Sequence, residues 1–218
     1  MDMDWIGKAK DLGGPAPRGI IHVGGHTGQE YDYYRRNGVL DQIWIEPQPC
    51  CFQRMVNHLP KDPGIRCFQV ACGNMNGTAE MIELSGNDGM SNSLLPPKRH
   101  LVYYPTLVPT KTLRVPVRKL DDFLLENKID ASLYDSLSID VQGYELEVMK
   151  GGERTLAHPH MRYVYAEVNV EELYEKCALV TEVDEWLSGI GFSREASDIW
   201  GPYGSFGDAL YFKREPLF

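Results

Sequence analysis

Ser138-Ile139-Asp140-Val141-Gln142-Gly143-Tyr144-Glu145-Leu146-Glu147-Val148-Met149-Lys150-Gly151-Gly152 reads as an apolar strand ending in an acid, a turn at Gly143, and a short helix that stops at the glycine pair. Leu146, Val148 and Met149 form the inward face of that helix. In an open α/β sheet, ligands bind outside the carboxyl ends of the strands, which is where this reading puts Asp140. The acid then either meets a cofactor and substrate or caps the following helix, as an Asp at such a turn can.

The flanking sequence alternates strands with helices. Gly19-Ile20-Ile21-His22-Val23 enters a glycine turn, Gly24-Gly25-His26-Thr27-Gly28, and a helix is expected from about Gln29 to Asn37. A second strand, Gln42 to Ile45, ends in Glu46-Pro47 and precedes a helix from Pro49 to His58, with Phe52, Met55, Val56 and Leu59 at helical spacing. A third strand, Ile65 to Ala71, turns into another, Thr78 to Leu84, expected at the sheet edge. Leu120 to Leu125 reads as a helix and Arg162 to Val168 as a buried strand with Glu167 and Asn169 at its end. Thr181 to Ser188 reads as a helix with Thr181 as N-cap, and Gly191 to Glu195 pairs with Asp208 to Lys213. The expected fold class is α/β, a doubly wound, mostly parallel sheet with one antiparallel strand at its C-terminal end.

One domain is expected over 1–218. Residues 1–18 form an extension or lid, with a helix from Met1 to Leu12 carrying Trp5 and Ile6 before the Gly13-Gly14-Pro15 break. Residues 85–114 show no period and read as a long loop, part of which covers the active site.

The formal net charge of -9 argues against nucleic acid as a partner, since that binding rests on clustered Lys and Arg. The nearest basic group, Lys98-Arg99-His100 with Lys111 and Arg114, reads as a solvated loop rather than a phosphate site. No membrane-length apolar run and no secretory signal is visible, so a cytoplasmic location is expected. Five Cys without a C-x-x-C pair indicate buried or half-buried free thiols rather than disulfides or zinc ligands. Oligomeric state has no signature in the sequence.

The glycine turn does not match G-x-G-x-x-G. Its pattern, His22-x-Gly24-x-x-x-Gly28, is close to the acid-x-Gly-x-x-x-Gly loop of S-adenosylmethionine-dependent methyltransferases, with His22 in place of the acid. Glycine there lets the backbone approach a cofactor. Glu46 ends the next strand about 20 residues on, where a carboxylate can accept hydrogen bonds from both ribose hydroxyls; the plainer reading is a surface Glu before a proline. The Ala71-Cys72-Gly73-Asn74 segment would flank the adenine, with Cys72 against it.

IIHVGGHTGQE, IWIEPQP, VACGNMNGTAEM, VRKLDDFL and SIDVQGYELEVMKGG, in this order, resemble the FkbM-type methyltransferases, from about Ile20 to Phe212. The resemblance implies a class I Rossmann-like fold, S-adenosylmethionine as cofactor, and O-methylation of a hydroxyl on a saccharide or secondary metabolite. Cofactor contacts then fall on His22, Gly24, Gly25, His26, Thr27, Gly28, Glu46, Cys72 and Asp140.

Methyl transfer from a sulfonium is an in-line displacement, so the acceptor oxygen must be held close and lose its proton. Asp140 is the first candidate for the base or for a metal ligand. Glu167 and Asn169 could join it around Mg²⁺ or in a network that orients the acceptor. His100 is a second catalytic candidate if the long loop folds over. Ser91, Asn92, Ser93 and Asn169 offer small polar contacts for a saccharide, and Trp200 an aromatic wall. Two rival functions are a nicotinamide-dependent oxidoreductase, for which Glu46 would serve equally well, and a binding module without activity.

Overall fold

The computed structural model describes residues 3–213. The chain begins with α1 (Trp5–Asp11), β1 (Gly19–Val23), α2 (Tyr31–Arg36), β2 (Asp41–Ile45), α3 (Pro49–His58) and β3 (Ile65–Phe68). It continues through β4 (Ala71–Cys72), β5 (Gly77–Ser85), α4 (His100–Tyr103), β6 (Val108–Arg118), α5 (Leu120–Glu126), β7 (Ser136–Ile139) and α6 (Glu145–Gly151). The last elements are α7 (Glu153–Ala157), β8 (Tyr163–Asn169), α8 (Val180–Gly189), β9 (Ser193–Ile199) and β10 (Phe206–Phe212).

The main sheet has seven strands in the order β3-β2-β1-β7-β8-β10-β9. All neighbours are parallel except β10, which runs antiparallel to both β8 and β9. This is the expected Rossmann-like α/β sheet with an antiparallel strand at its C-terminal end. The order reverses between β1 and β7, so the crevice of the sheet lies outside the ends of those two strands.

Strand alternation divides the core into two layers. Ile21, Val23, Ile43, Ile45, Leu137, Ile139, Val164, Ala166 and Ala209 face one way, against α5, α6 and α8. The inward face predicted for α6 is present, with Leu146, Val148 and Met149 all buried there. Ile20, Trp44, Tyr163, Tyr165 and Leu210 face the other way, against α1, α2 and α3. Trp5 of α1 is fully buried and stacks on Tyr165 at 5.8 Å. Asp4 caps this helix by accepting from the Gly7 amide at 3.0 Å. The part of the expected helix at Met1 and Asp2 lies outside the described residues.

Several expectations are corrected. The third strand ends at Phe68; the chain then leaves the main sheet, and Ala71-Cys72 joins a separate three-stranded sheet of order β4-β6-β5. The strand predicted at Thr78 to Leu84 belongs to this second sheet, not to the edge of the first. The expected loop over 85–114 is interrupted by α4 and by β6, which pairs with β5 from Gly77 to Ser85. Beyond Val117 and Arg118, which meet β4, β6 is partnered on one side only among the described residues, and such an open side tolerates Pro109 and Pro116.

Thr181 is not the N-cap of α8. That position is Leu179, and the Glu182 carboxylate accepts from its amide at 2.8 Å. The cysteines are all free, but Cys50 is exposed on the outer side of α3 whereas Cys51 beside it is buried. No helix among the described residues is long and apolar enough to cross a membrane.

Candidate active site

A cavity of about 640 Å³ opens at the carboxyl ends of β1, β2, β7 and β8, and residues from all four strand ends line it. The same alternation that buries Leu137 and Ile139 on one face sends Ser138 and Asp140 to the other. Along β8 it does so for Tyr165 and Glu167. The parallel register sets Ser138 beside Tyr165, so Asp140 follows beside Glu167, and Asp208 of β10 pairs with Glu167 from the other side. Three acids on three neighbouring strands thereby meet at one wall.

On the β1 side, the Gly24 and Gly25 amides both donate to the Ile45 carbonyl, at 2.9 and 3.0 Å. Gly24 has φ +89, and a Cβ there would stand 1.8 Å from the Asp140 carbonyl oxygen. Only glycine allows the loops after β1 and β7 to close on each other this way. Glu46 is buried and lines the cavity; its Oε2 accepts from the His26 amide and its Oε1 from the Gln48 amide, both at 2.8 Å. Each oxygen keeps a lone pair for a further donor. Burial pushes the Glu46 carboxyl up to about 7.

Residues between 86 and 107 line one side of the cavity and form its roof. His26 Nε2 donates to the Asp88 carbonyl at 3.0 Å, Gln48 Nε2 donates to the Gly89 carbonyl at 3.2 Å, and Arg54 pairs with the Asp88 carboxylate. Asn92 lines the cavity but bonds inward, donating to Gln48 Oε1 at 2.6 Å and accepting from the Leu84 amide. His100 also lines it, with Nε2 2.7 Å from Ser91 Oγ and its ring stacked on Tyr174 at 5.1 Å. Burial pushes the His100 imidazole down to about 4, so it is neutral at ordinary pH. The basic residues of this segment are spent on ion pairs, Lys98 with Glu172, Arg99 with Glu171 and Lys111 with Glu83.

Asp140, Glu145 and Glu167 each bring one oxygen within 4.8 Å of the others. Asp140 is exposed to the cavity, whereas Glu145 and Glu167 are buried. Glu145 Oε1 accepts from the Val141 and Gly143 amides, at 3.0 and 3.1 Å, and so closes the turn itself. That disposes of the capping role for Asp140. Burial, reinforced by the Asp140 and Glu145 carboxylates, pushes the Glu167 carboxyl well above the ordinary carboxyl range.

Gln142 Nε2 lies 2.8 Å from Asp140 Oδ1 and 2.6 Å from Glu167 Oε2. A donor-only nitrogen occupies the place between two carboxylates where a cation would sit, so this arrangement does not fit the Mg²⁺ set of Asp140, Glu167 and Asn169. Asn169 is buried at the β8 end, next to Leu179 and Phe206, and is not on the cavity wall.

The other expected site residues divide between wall and support. His22, Gly24, His26, Glu46, Cys72, Ser91 and Trp200 line the cavity. His22 is buried between neighbours, its ring stacked on Trp44 at 4.7 Å and its Nδ1 2.9 Å from Tyr34 Oη, and burial lowers its pKa. Burial raises the Cys72 thiol to about 12, which leaves it an inert packing group. Gly25 and Gly28 pack against Met55, and Thr27 stays in the turn, where its amide reaches Gln29. Ser93 Oγ supports the wall from behind by donating to the Gln142 carbonyl at 2.7 Å. Trp200 meets Phe206 edge to face at 4.4 Å, on the rim.

Sequence reasoning missed Gln142, Glu145, Tyr165 and Asp208. The period-2 pattern of β8 and β10 could have supplied the last two; Gln142 sits inside the quoted stretch but looked like an ordinary turn residue.

The sequence profile described as the Methyltransferase FkbM domain matches residues 22–194. The 2-O-methyltransferase NoeI of Sinorhizobium fredii is 31% identical over 162 residues, which are 72% of this chain. The chain spans 65% of the length of that curated relative. Among solved structures, it is similar to magnesium protoporphyrin IX methyltransferase from Synechocystis with bound S-adenosylmethionine, at TM-score 0.51 and 10% identity over 96% of this chain and 75% of that one. A protein of the NADB-Rossmann superfamily from Streptococcus agalactiae gives TM-score 0.51 and 12% identity over 100% of this chain and 71% of the other. At these identities the structural likeness is one of fold.

Proposed function

The chain belongs to the FkbM methyltransferase family, and from that we propose that it transfers the methyl group of S-adenosylmethionine to a hydroxyl oxygen of a saccharide or glycosylated natural product. The observation that carries this reading is one continuous cavity lined by Glu46, the glycine turn and the exposed Asp140 carboxylate beside Glu167. That NoeI is a 2-O-methyltransferase supports oxygen as the acceptor atom. Neither the family match nor NoeI is an oxidoreductase.

S-Adenosylmethionine, when bound, supplies an electrophilic methyl group on sulfur. The residues fit it: Glu46 offers two acceptor oxygens to vicinal hydroxyls, and the turn at Gly24 brings backbone close to the strand end. Asp140 takes the hydroxyl proton as the oxygen attacks, and protonated Glu167 donates a hydrogen bond that orients the acceptor. His100, neutral and facing the cavity, shapes the acceptor end. No metal step is needed in this scheme.

The charge of the wall narrows the acceptor. Glu30, Glu46, Asp140, Glu167 and Asp208 line the cavity, and no Lys or Arg does among the described residues. A phosphate, sulfate or carboxylate on the acceptor would meet only like charge there, so an uncharged polyol is the matching class.

Calorimetric titration with S-adenosylhomocysteine and separately with NAD⁺, followed by methyl transfer to a panel of neutral and anionic glycosides, tests the reading. Saturable binding of the homocysteine compound and transfer to neutral glycosides support it. Binding of NAD⁺ alone, or transfer confined to anionic acceptors, overturns it.

A further inference from the structure

Gln142 has the left-handed backbone of a glycine, φ +56, immediately before Gly143 at φ +97. Side chains other than Gly, Asn and Asp seldom adopt this conformation, and it persists only where the surroundings fix it. Ser93 Oγ fixes the Gln142 carbonyl at 2.7 Å. The side-chain amide is fixed at both ends: Tyr174 Oη donates to its Oε1 at 2.9 Å, while its Nε2 donates to Asp140 Oδ1 and Glu167 Oε2 at 2.8 and 2.6 Å. Tyr174 is buried and stacked on His100, and in this orientation the amide gives its oxygen a donor and its nitrogen two acceptors.

We propose that Gln142 is the positioning residue of the methyl-transfer site, spending one amide hydrogen on Asp140 and the other on Glu167 so that the two carboxyls stay together with Asp140 turned to the acceptor. The assignment rests on the methyl-transfer reading of the cavity. The Glu167 and Asp140 carboxyls also hydrogen-bond each other, and without the amide that fixes both, the pair would be free to rotate and take the base off its line to the hydroxyl. Gln142 acts through Asp140 and touches no reacting atom itself. It also couples the base to the roof, because Tyr174 Oη contacts the Ser91 carbonyl at 3.1 Å as well.

The test compares wild type with Gln142→Met, close in shape but without the amide, and with Gln142→Glu. Gln142→Met is expected to lower kcat about tenfold to hundredfold, the scale of a small misplacement of a catalytic group, with the acceptor KM and the affinity for S-adenosylhomocysteine unchanged. Gln142→Glu, which can donate one hydrogen when protonated, is expected to recover part of that loss on the acid side of the pH profile only. An unchanged kcat in Gln142→Met, or loss of S-adenosylhomocysteine binding in step with kcat, overturns the proposal. A second readout needs no acceptor. In the wild-type protein with S-adenosylhomocysteine, the Gln142 side-chain amide should show two slowly exchanging protons by ¹⁵N NMR, one of which loses protection in Glu167→Ala. Exchange as fast as for a surface glutamine overturns the arrangement. If the NMR signature holds and wild type methylates no hydroxyl acceptor, the methyl-transfer reading fails while the amide arrangement stands.

Discussion

Gly24 and Asp140 meet backbone to backbone: a Cβ on Gly24 would stand 1.8 Å from the Asp140 carbonyl oxygen, at a glycine whose φ is +89. The glycine turn after β1 and the end of β7 are thus one packed unit. Gly24→Ala must both force the two loops apart and adopt a left-handed backbone. We expect a loss of about 2–4 kcal/mol in unfolding free energy and loss of S-adenosylhomocysteine binding, checked by urea unfolding and calorimetry.

Glu46 makes stability depend on pH. Its carboxyl is pushed from 4.5 to about 7 by burial, so the folded chain holds the proton more tightly than the unfolded chain does. The contribution is therefore full below 4.5 and is lost as pH rises through about 7, amounting to about 3 kcal/mol for this one group. Glu46→Gln should lack that component of the slope when urea unfolding is followed across the window. The same variant should bind S-adenosylhomocysteine about tenfold to hundredfold more weakly, since it loses a charged acceptor for the ribose.

Asp140 and Glu167 should respond differently to neutral isosteres. Asp140→Asn removes the base and is expected to lower kcat by about a hundredfold to ten-thousandfold with cofactor affinity kept. Glu167→Gln imitates the protonated acid and should retain activity within about threefold at neutral pH, because a neutral hydrogen-bond donor remains in place. Steady-state kinetics on a neutral glycoside separates the two; equal losses would sink the assignment of roles.

Trp200 presents its ring at the cavity rim, braced by Phe206. Trp200→Ala should raise the KM for a saccharide about fivefold, the equivalent of about 1 kcal/mol of ring contact, and leave kcat nearly unchanged. Initial-rate measurements over a range of acceptor concentrations check this.

Periodicity carried the sequence reading where partners are local or where one face is buried. α3 ends where the spacing of Phe52, Met55 and Leu59 ends, and the acids at Glu46, Asp140 and Glu167 follow from apolar strands with polar last residues. The reading failed where neither condition held. β6 is mostly exposed and carries Pro109 and Pro116, so it shows no alternation, and its pairing with β5 is visible only once the chain is folded. Gln142 was illegible for a related reason: its meaning lies in Tyr174 and Glu167, which are remote in sequence. The metal set was drawn from residue types at the ends of adjacent strands, which does bring Asp140 and Glu167 together, but an amide nitrogen between the carboxylates is what such a reading cannot contain.

The roof over the cavity is held at Asp88 and Gly89 by their carbonyl oxygens, on His26 and Gln48. These two ties use main-chain acceptors and depend on the residues that grip them, while the Asp88 carboxylate on Arg54 and the Asn92 amide on Gln48 add side-chain ties from the roof itself. His26 and Gln48 also send their amides to Glu46, so whatever occupies Glu46 feels the roof through the same two residues. If these bonds must open for the spent cofactor to leave, we expect release to limit turnover. It should slow turnover under viscous conditions and leave the enzyme sensitive to inhibition by its own by-product.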